Sequence, residues 1–151
     1  MKHVQQRKWE IPECITALGV TQKDFLKWLD AKARAHVIRD VARGRDVTVS
    51  QYKQQILQAV AATNGCDYFT GEPLAWESIS KWNNDEAKLG RAAYRKKFWN
   101  LPTIDHDHDE LGAPVFRLCS WRMNDAKNDQ TLAEFLELAA KVSKQHVKPT
   151  L

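Results

Sequence analysis

Apolar residues recur at helical spacing along the first part of the chain. Between about Gln22 and Ala42 they follow each other at steps of three and four residues, which is the spacing of one face of an α-helix. The residues of this apolar stripe are Phe25, Leu26, Leu29, Ala33, Val37 and Val41. Thr21, with Asp24 three residues later, fits a capping box at the start of the helix, and Gly44 follows its end. The pattern predicts one long amphipathic helix.

A second apolar stripe predicts another helix from about Gln51 to Thr63. The residues predicted to be buried on it are Tyr52, Ile56, Leu57 and Val60. Ser50 can cap its first turn, and Asn64 with Gly65 ends it, because both residue types tolerate positive φ.

After residue 65 the pattern becomes mixed. Residues 66–74 form two short extended pieces around a Thr-Gly turn, and residues 86–99 fit a helix that is interrupted by a glycine. Two short apolar strands follow, over residues 101–106 and 115–118. A last helix is predicted from a capping box at Thr131 to about residue 145, and we expect it to pack behind the strands.

The composition fits one compact domain with an aromatic-rich core. The chain has 151 residues, 43% of them apolar, with six Trp and five Phe. It lacks a run of about 18 apolar residues, so we expect no membrane span. Its first residues lead into Trp9 and Glu10 instead of an apolar stretch, which argues against a signal peptide. We therefore expect a cytoplasmic protein, of bacterial or phage type.

Positive charge is concentrated in the amino-terminal part. The net charge is +4, and residues 1–65 hold 11 Lys/Arg against six Asp/Glu. A second basic stretch, residues 88–97, has five positive charges and no negative one, next to aromatic side chains. Both stretches suit a polyanion, although solvated basic faces are also common on helices. From the second stretch we expect phosphate contacts by Arg95, Lys96 and Lys97.

The two short strands carry the residues with the most distinctive chemistry. The first ends in Asp105-His106, and a polar segment with Asn124 and Lys127 follows the second. This order and spacing resemble the HNH (ββα-metal, or His-Me finger) nucleases, in which two strands and a helix surround one metal ion. The resemblance covers about residues 66–135. It implies an α+β fold in which a basic helical region, residues 1–65, precedes an HNH-like core, residues 66–151, within one compact unit.

The resemblance also implies a role for each of these residues. His106 would be the general base that takes a proton from water, because imidazole titrates near neutral pH. Asp105 and Asn124 would be ligands of one divalent metal ion, and Mg²⁺ is expected, with Mn²⁺ or Ni²⁺ as alternatives. Lys127 would contact a phosphate or hold the substrate, and Arg122 is a further candidate for such a contact.

The sequence departs from the family pattern in two ways. The family has an Asn or His near the start of the second strand that fixes the preceding loop, and here residues 112–116 offer no such side chain. The Asp-His pair is also doubled, since Asp107-His108 repeats it. His108 could therefore be a third metal ligand, a substrate contact or the base itself. We favour His106, because the Thr-Ile-Asp-His sequence fits the strand of the family best.

The resemblance implies a metal-dependent endonuclease that hydrolyses phosphodiester bonds, with DNA favoured over RNA as its partner. Two alternatives are a nucleic-acid-binding protein with a degenerate HNH core, and a metal-binding protein of unrelated function. In the simplest interpretation the Asp-His repeat is a solvated loop. The three cysteines, Cys14, Cys66 and Cys119, form no Cys-x-x-Cys pair, so we expect reduced thiols and no structural zinc.

Overall fold

The computed structural model describes residues 9–148 as six α-helices, one short 3₁₀ helix and one two-stranded sheet. The α-helices of this part of the chain are α1 (Glu13–Thr16), α2 (Gln22–Ala42), α3 (Val49–Ala62), α4 (Asn84–Lys97), α5 (Trp121–Lys127) and α6 (Leu132–His146). The strands are β1 (Pro102–His108) and β2 (Pro114–Ser120), and the 3₁₀ helix is Trp76–Ser78. The predicted α+β class is therefore confirmed at the level of mixed helix and sheet.

Helix α2 has the predicted bounds, and Phe25, Leu29 and Ala33 of the predicted stripe are buried, although the buried face also includes residues outside that stripe. Its cap is Thr21, whose hydroxyl accepts a hydrogen bond from the Asp24 amide at 3.1 Å. Val41, which the apolar stripe predicts to be buried, is instead 53% exposed. The buried face of α2 consists of Phe25, Trp28, Leu29, Ala33, His36 and Asp40. Its last two members are polar, and they bring titratable groups into the interior.

Helix α3 starts two residues earlier than predicted, because Thr48 caps it instead of Ser50. The Thr48 hydroxyl accepts from the amide of Gln51, and the Gln51 side chain accepts from the Thr48 amide. Tyr52, Ile56 and Val60 are buried as predicted, while Leu57 is only partly buried. This face packs α3 against both α2 and β2.

A cluster of aromatic rings connects the amino-terminal helices to the rest of the chain. Trp76 is fully buried, and its ring centroid lies 4.8 Å from that of Trp28 and 5.8 Å from that of Phe25. The Trp76 indole donates to the carbonyl of Gly65 at 2.8 Å. Gly65 has φ +76, a backbone conformation that favours glycine, and a Cβ there would lie 2.8 Å from the end of the Ile15 side chain, which would have to shift.

The residue 66–74 turn is fixed to the end of β2 by one carboxylate. Asp67 is 2% exposed, and its oxygens accept hydrogen bonds from the amides of Phe69, Thr70 and Ser120. A single bridge pairs Cys66 with Pro73, which agrees with the predicted hairpin.

Strands β1 and β2 form an antiparallel hairpin that leads directly into α5. Pro102 pairs with Ser120 and His106 with Phe116. Each strand has seven residues, and every residue of β1 has a partner on β2. Ser120 ends β2 and caps α5, since its hydroxyl accepts from the Met123 amide at 3.0 Å. Residues 102–127 thus form a contiguous strand–strand–helix unit, and both β1 and β2 contact α5.

Helices α4 and α6 are the most exposed parts of the described chain. Helix α4 is kinked at Arg91, which has φ 46 and ψ −127, directly after the predicted interruption at Gly90. Helix α6 begins at the predicted capping box of Thr131 and Glu134, but none of its residues is buried. Leu136 and Val142 are 56% and 55% exposed, so the structure does not display the packing role predicted for this helix. Among residues 9–148, no helix has the length and apolarity that crossing a membrane requires.

Candidate functional site

His106 lies in a polar cleft of about 510 Å³ between α2, β1 and α5. The residues that line this cleft are His36, Arg39, Arg43, Ile104, His106, Asn124, Asp125, Asn128 and Asp129. Two of the predicted site residues, His106 and Asn124, are therefore brought together. Arg39 and Arg43 are exposed and one helical turn apart on α2, so they give the same cleft two positive charges.

The buried carboxylate of Asp40 holds the two predicted histidines. Asp40 is fully buried, and its Oδ2 atom lies 2.7 Å from Nε2 of His106 and 3.3 Å from Nε2 of His108. The Tyr52 hydroxyl donates a hydrogen bond to the same oxygen. Burial raises the pKa of Asp40, but the hydrogen bonds from Tyr52 and His106 outweigh it and bring this pKa to about 2. Asp40 is therefore ionised at neutral pH.

The hydrogen bond to Asp40 fixes which nitrogen of His106 carries the proton. A carboxylate only accepts hydrogen bonds, so Nε2 is the donor and Nδ1 keeps a lone pair in the neutral ring. Nδ1 is buried and has no hydrogen-bond partner in the protein. Phe116 stacks on the ring with centroids 4.6 Å apart and fixes its plane. Burial lowers the pKa of His106, and the hydrogen bond to Asp40 partly offsets this, so the neutral form persists below pH 6.5.

The loop between β1 and β2 is held by the side chains of Arg45 and Asp109. Arg45 donates from Nη1 to the carbonyl of Gly112 at 2.6 Å. Asp109 accepts from the amides of Leu111 and Ala113 at 2.9 and 2.8 Å. The loop is thus fixed by one side chain from the segment after α2 and by one side chain of its own.

Asp105 lies on the other face of β1 and is paired with Lys127. The Lys127 Nζ atom lies 3.3 Å from Oδ1 and 3.2 Å from Oδ2 of Asp105, and both side chains are almost fully buried. Arg117 on β2 adds a longer contact of 3.7 Å to Oδ2. A phosphate contact by Lys127 would therefore require this ion pair to open.

The other predicted phosphate contacts are exposed and form a separate patch. Arg95 and Arg122 line a small hollow with Trp99, and the guanidinium of Arg122 lies 4.6 Å from the Trp99 ring centroid. Lys96 lies 5.6 Å from the same ring, and Lys97 is exposed. Asp125 lines both this hollow and the His106 cleft, so the two surfaces adjoin.

Sequence reasoning missed Asp40 and His36. Both occupy the buried face of α2 at steps of three and four residues from Ala33, so the spacing of the apolar stripe contains the signal. Most buried polar residues have hydrogen-bond partners, and the partners of Asp40 come from α3 and β1.

Acid is expected to destabilise the protein through His36. Its burial, together with the charge of His106, lowers its pKa to about 3, so the folded state excludes a proton that the unfolded chain binds below pH 6.5. The unfolded state binds more protons between about pH 3 and 6.5, so the free energy of unfolding falls as the pH falls, by about 2 kcal/mol between pH 7 and 5. Urea unfolding in EDTA at both pH values measures this loss, and His36→Leu should reduce it. An equal loss in the variant would assign the acid sensitivity to other groups.

Within the described residues, Asp40, His106 and His108 are the one group of three His, Cys, Asp or Glu side chains that could hold a metal ion. Their ligand atoms all lie within 4.8 Å of one another. Comparison with protein-family models, curated proteins and solved structures gives no significant match. The chemistry of the site is therefore the basis for assigning a function to the chain.

Proposed function

We propose that this protein is a metal-dependent endonuclease of the HNH type that hydrolyses phosphodiester bonds in DNA, with His106 as the general base. The observation that carries the proposal is the unpartnered Nδ1 atom of His106 in a cleft that also contains Asn124 and two arginines. A strand–strand–helix unit supplies His106 and Asn124, as the resemblance to HNH nucleases requires.

His106 and Asp40 form a dyad that suits proton abstraction from water. The burial of His106 keeps its ring neutral at pH 7, so Nδ1 can accept a proton once a water molecule reaches this buried atom. The imidazolium that forms would be stabilised by the Asp40 carboxylate on Nε2, which also fixes the tautomer and orientation of the ring. Arg39 and Arg43 line the cleft and can bind the nonbridging oxygens of the phosphate.

The oxygen donors of Asp105 and Asn124 suit a hard ion such as Mg²⁺, and Mn²⁺ or Ni²⁺ are alternatives. Such an ion would neutralise charge on the phosphate and stabilise the departing oxygen. Asp105 has one buried oxygen, Oδ2, without a hydrogen bond, and a metal ion at this carboxylate would have to displace the Lys127 ammonium. The Asp40, His106 and His108 group has two imidazole nitrogens and suits softer ions, so we do not assign Mg²⁺ to it.

Removal of the metal is expected to abolish nicking. Purified protein should convert supercoiled plasmid to the open circle with Mg²⁺ or Mn²⁺ and leave it intact in EDTA. Asn124→Ala should raise the metal concentration needed for half-maximal nicking by at least about tenfold, since a ligand is lost. A contaminating nuclease would not respond to this substitution. If no plasmid is cut with Mg²⁺, Mn²⁺ or Ni²⁺, the DNase proposal fails and RNA becomes the next substrate to test.

One observation favours a second function, that of a nucleic-acid-binding protein with a degenerate core. The buried Lys127 ammonium compensates the charge of Asp105 and competes with a metal ion there. A gel shift without cleavage, in the presence of each of the three metals, would decide for this alternative.

A further inference from the structure

A second pocket, of about 240 Å³, lies at the amino-terminal end of β1. Its lining includes Trp28, Lys32, Trp82, Thr103 and Trp121. Three of these five are tryptophans, and the pocket is more apolar than the His106 cleft. We call it the tryptophan pocket.

The tryptophan pocket adjoins the His106 cleft because α2, β1 and α5 each contribute residues to both. On α2, Trp28 and Lys32 line the pocket, and His36 follows one turn later in the cleft. On α5, Trp121 is likewise followed by Asn124. Lys32 and His36 are separated by about 6 Å along the helix axis. That distance corresponds to the length of about two stacked nucleotides, at about 3.4 Å per nucleotide.

The walls of the pocket suit a flat aromatic ring. Trp82 and Trp121 pack edge to face, with centroids 5.0 Å apart and an interplanar angle of 82°. The indole nitrogen of Trp28 already donates to the Pro102 carbonyl at 3.0 Å. Indole rings bind nucleobases by stacking, with little dependence on sequence, because every base has a π face.

Lys32 adds a hydrogen-bond donor to these walls. Its Nζ atom donates to the Thr103 hydroxyl at 3.0 Å, which leaves two further N–H groups for other acceptors. The side chain is partly buried, and none of the ion pairs of residues 9–148 includes it. A partly buried ammonium without a carboxylate partner favours a ligand that brings acceptor atoms, and the edges of nucleobases carry such atoms.

We propose that the tryptophan pocket binds one unstacked nucleobase of the substrate, close to the phosphate that His106 attacks through water. This inference rests on the nuclease function proposed above and specifies its substrate class. The base must leave the stack to enter the pocket, and this costs least where it is unpaired. The preferred substrate is therefore a nucleic acid with an unpaired nucleotide beside the cleavage point.

Binding of oligonucleotides in EDTA, where no cleavage occurs, tests this inference. The probes are a fluorescein-labelled duplex, the same duplex with one bulged 2-aminopurine, and the same duplex with an abasic bulge. We expect the 2-aminopurine bulge to bind about tenfold more tightly than the other two, with quenching of its fluorescence by stacking. Lys32→Met and Trp121→Leu should each remove most of this preference. Lys23→Met, which removes an exposed charge from the same helix, should retain it.

Equal binding of the three probes, or a preference that survives both pocket variants, would overturn the inference. Circular dichroism identifies a variant that fails to fold, and Lys32→Met, which removes only a charged tip, provides the test if Trp121→Leu is unstable. The two proposals fail separately. Nicking of plasmid without a preference for the bulged probe would support the nuclease proposal and exclude the base pocket. A preference for the bulged probe without nicking would support the base pocket and exclude the nuclease.

Discussion

Replacement of His106 by alanine is expected to lower the rate of plasmid nicking by about 10²- to 10⁴-fold, the usual contribution of a general base. Nε2 of His106 is held by the Asp40 carboxylate at 2.7 Å, and Nδ1 on the other side of the ring is buried without a hydrogen-bond partner. Single-turnover nicking, with enzyme in excess over plasmid, measures the step in which water is deprotonated. A variant that cuts at the wild-type rate would exclude His106 as the base.

His108→Ala is the matched control, because both histidines contact the same oxygen of Asp40. We expect His108→Ala to retain most of the activity, since Asp40 keeps its shorter bond to His106. If nicking is instead lost in His108→Ala and kept in His106→Ala, the base is His108. His106 is buried, so the folding of each variant has to be checked by thermal unfolding, and His106→Gln provides a second variant of similar volume.

Asp40 and His106 are expected to act as a unit. Asp40→Asn should lower the nicking rate, because an amide does not stabilise the imidazolium and can hold the wrong tautomer. When combined with His106→Ala it should cause little additional loss, since residues of one catalytic unit are strongly non-additive. Additive losses would indicate that Asp40 does not act through His106.

The part of the site that the sequence predicts is the part that is local in the chain. His106 and Asn124 belong to 26 consecutive residues, 102–127, in which strand, turn, strand and helix follow without interruption. Their spacing alone brings them to one cleft. The strand pairs of the antiparallel register and the hydrogen bond of the Ser120 cap are both formed between residues of this stretch.

Asp40 could not be assigned in the same way, because it precedes His106 by 66 residues and no local pattern links the two. Only tertiary packing of α2 and α3 against the hairpin brings the carboxylate to the imidazole. The polar interruption of the α2 stripe at His36 and Asp40 indicates a buried polar group, but it does not identify its partner. The unexpected position of Lys127 has a similar cause, since a buried carboxylate on β1 requires a nearby positive charge.

Replacement of Lys127 by methionine is expected to lower the free energy of unfolding by about 3–5 kcal/mol, because it leaves the buried carboxylate of Asp105 without its closest cation. Lys127 and Asp105 are 3% and 4% exposed, so water does not compensate for the loss. Arg117 is 3.7 Å from Oδ2 and can recover only part of it. Urea unfolding at pH 7 in EDTA measures the change.

Lys141→Met is the matched control, since Lys141 pairs with Glu137 one turn away at 2.7 Å, but on the exposed surface of α6. Its loss should stay below about 0.5 kcal/mol, as is usual for exposed pairs of this spacing. Addition of Asp105→Asn to Lys127→Met should restore part of the stability, because the uncompensated charge disappears along with its partner. If Lys127→Met costs no more than Lys141→Met, then Asp105 and Lys127 do not form a buried ion pair in solution, and Lys127 is free for the phosphate contact that the sequence predicts.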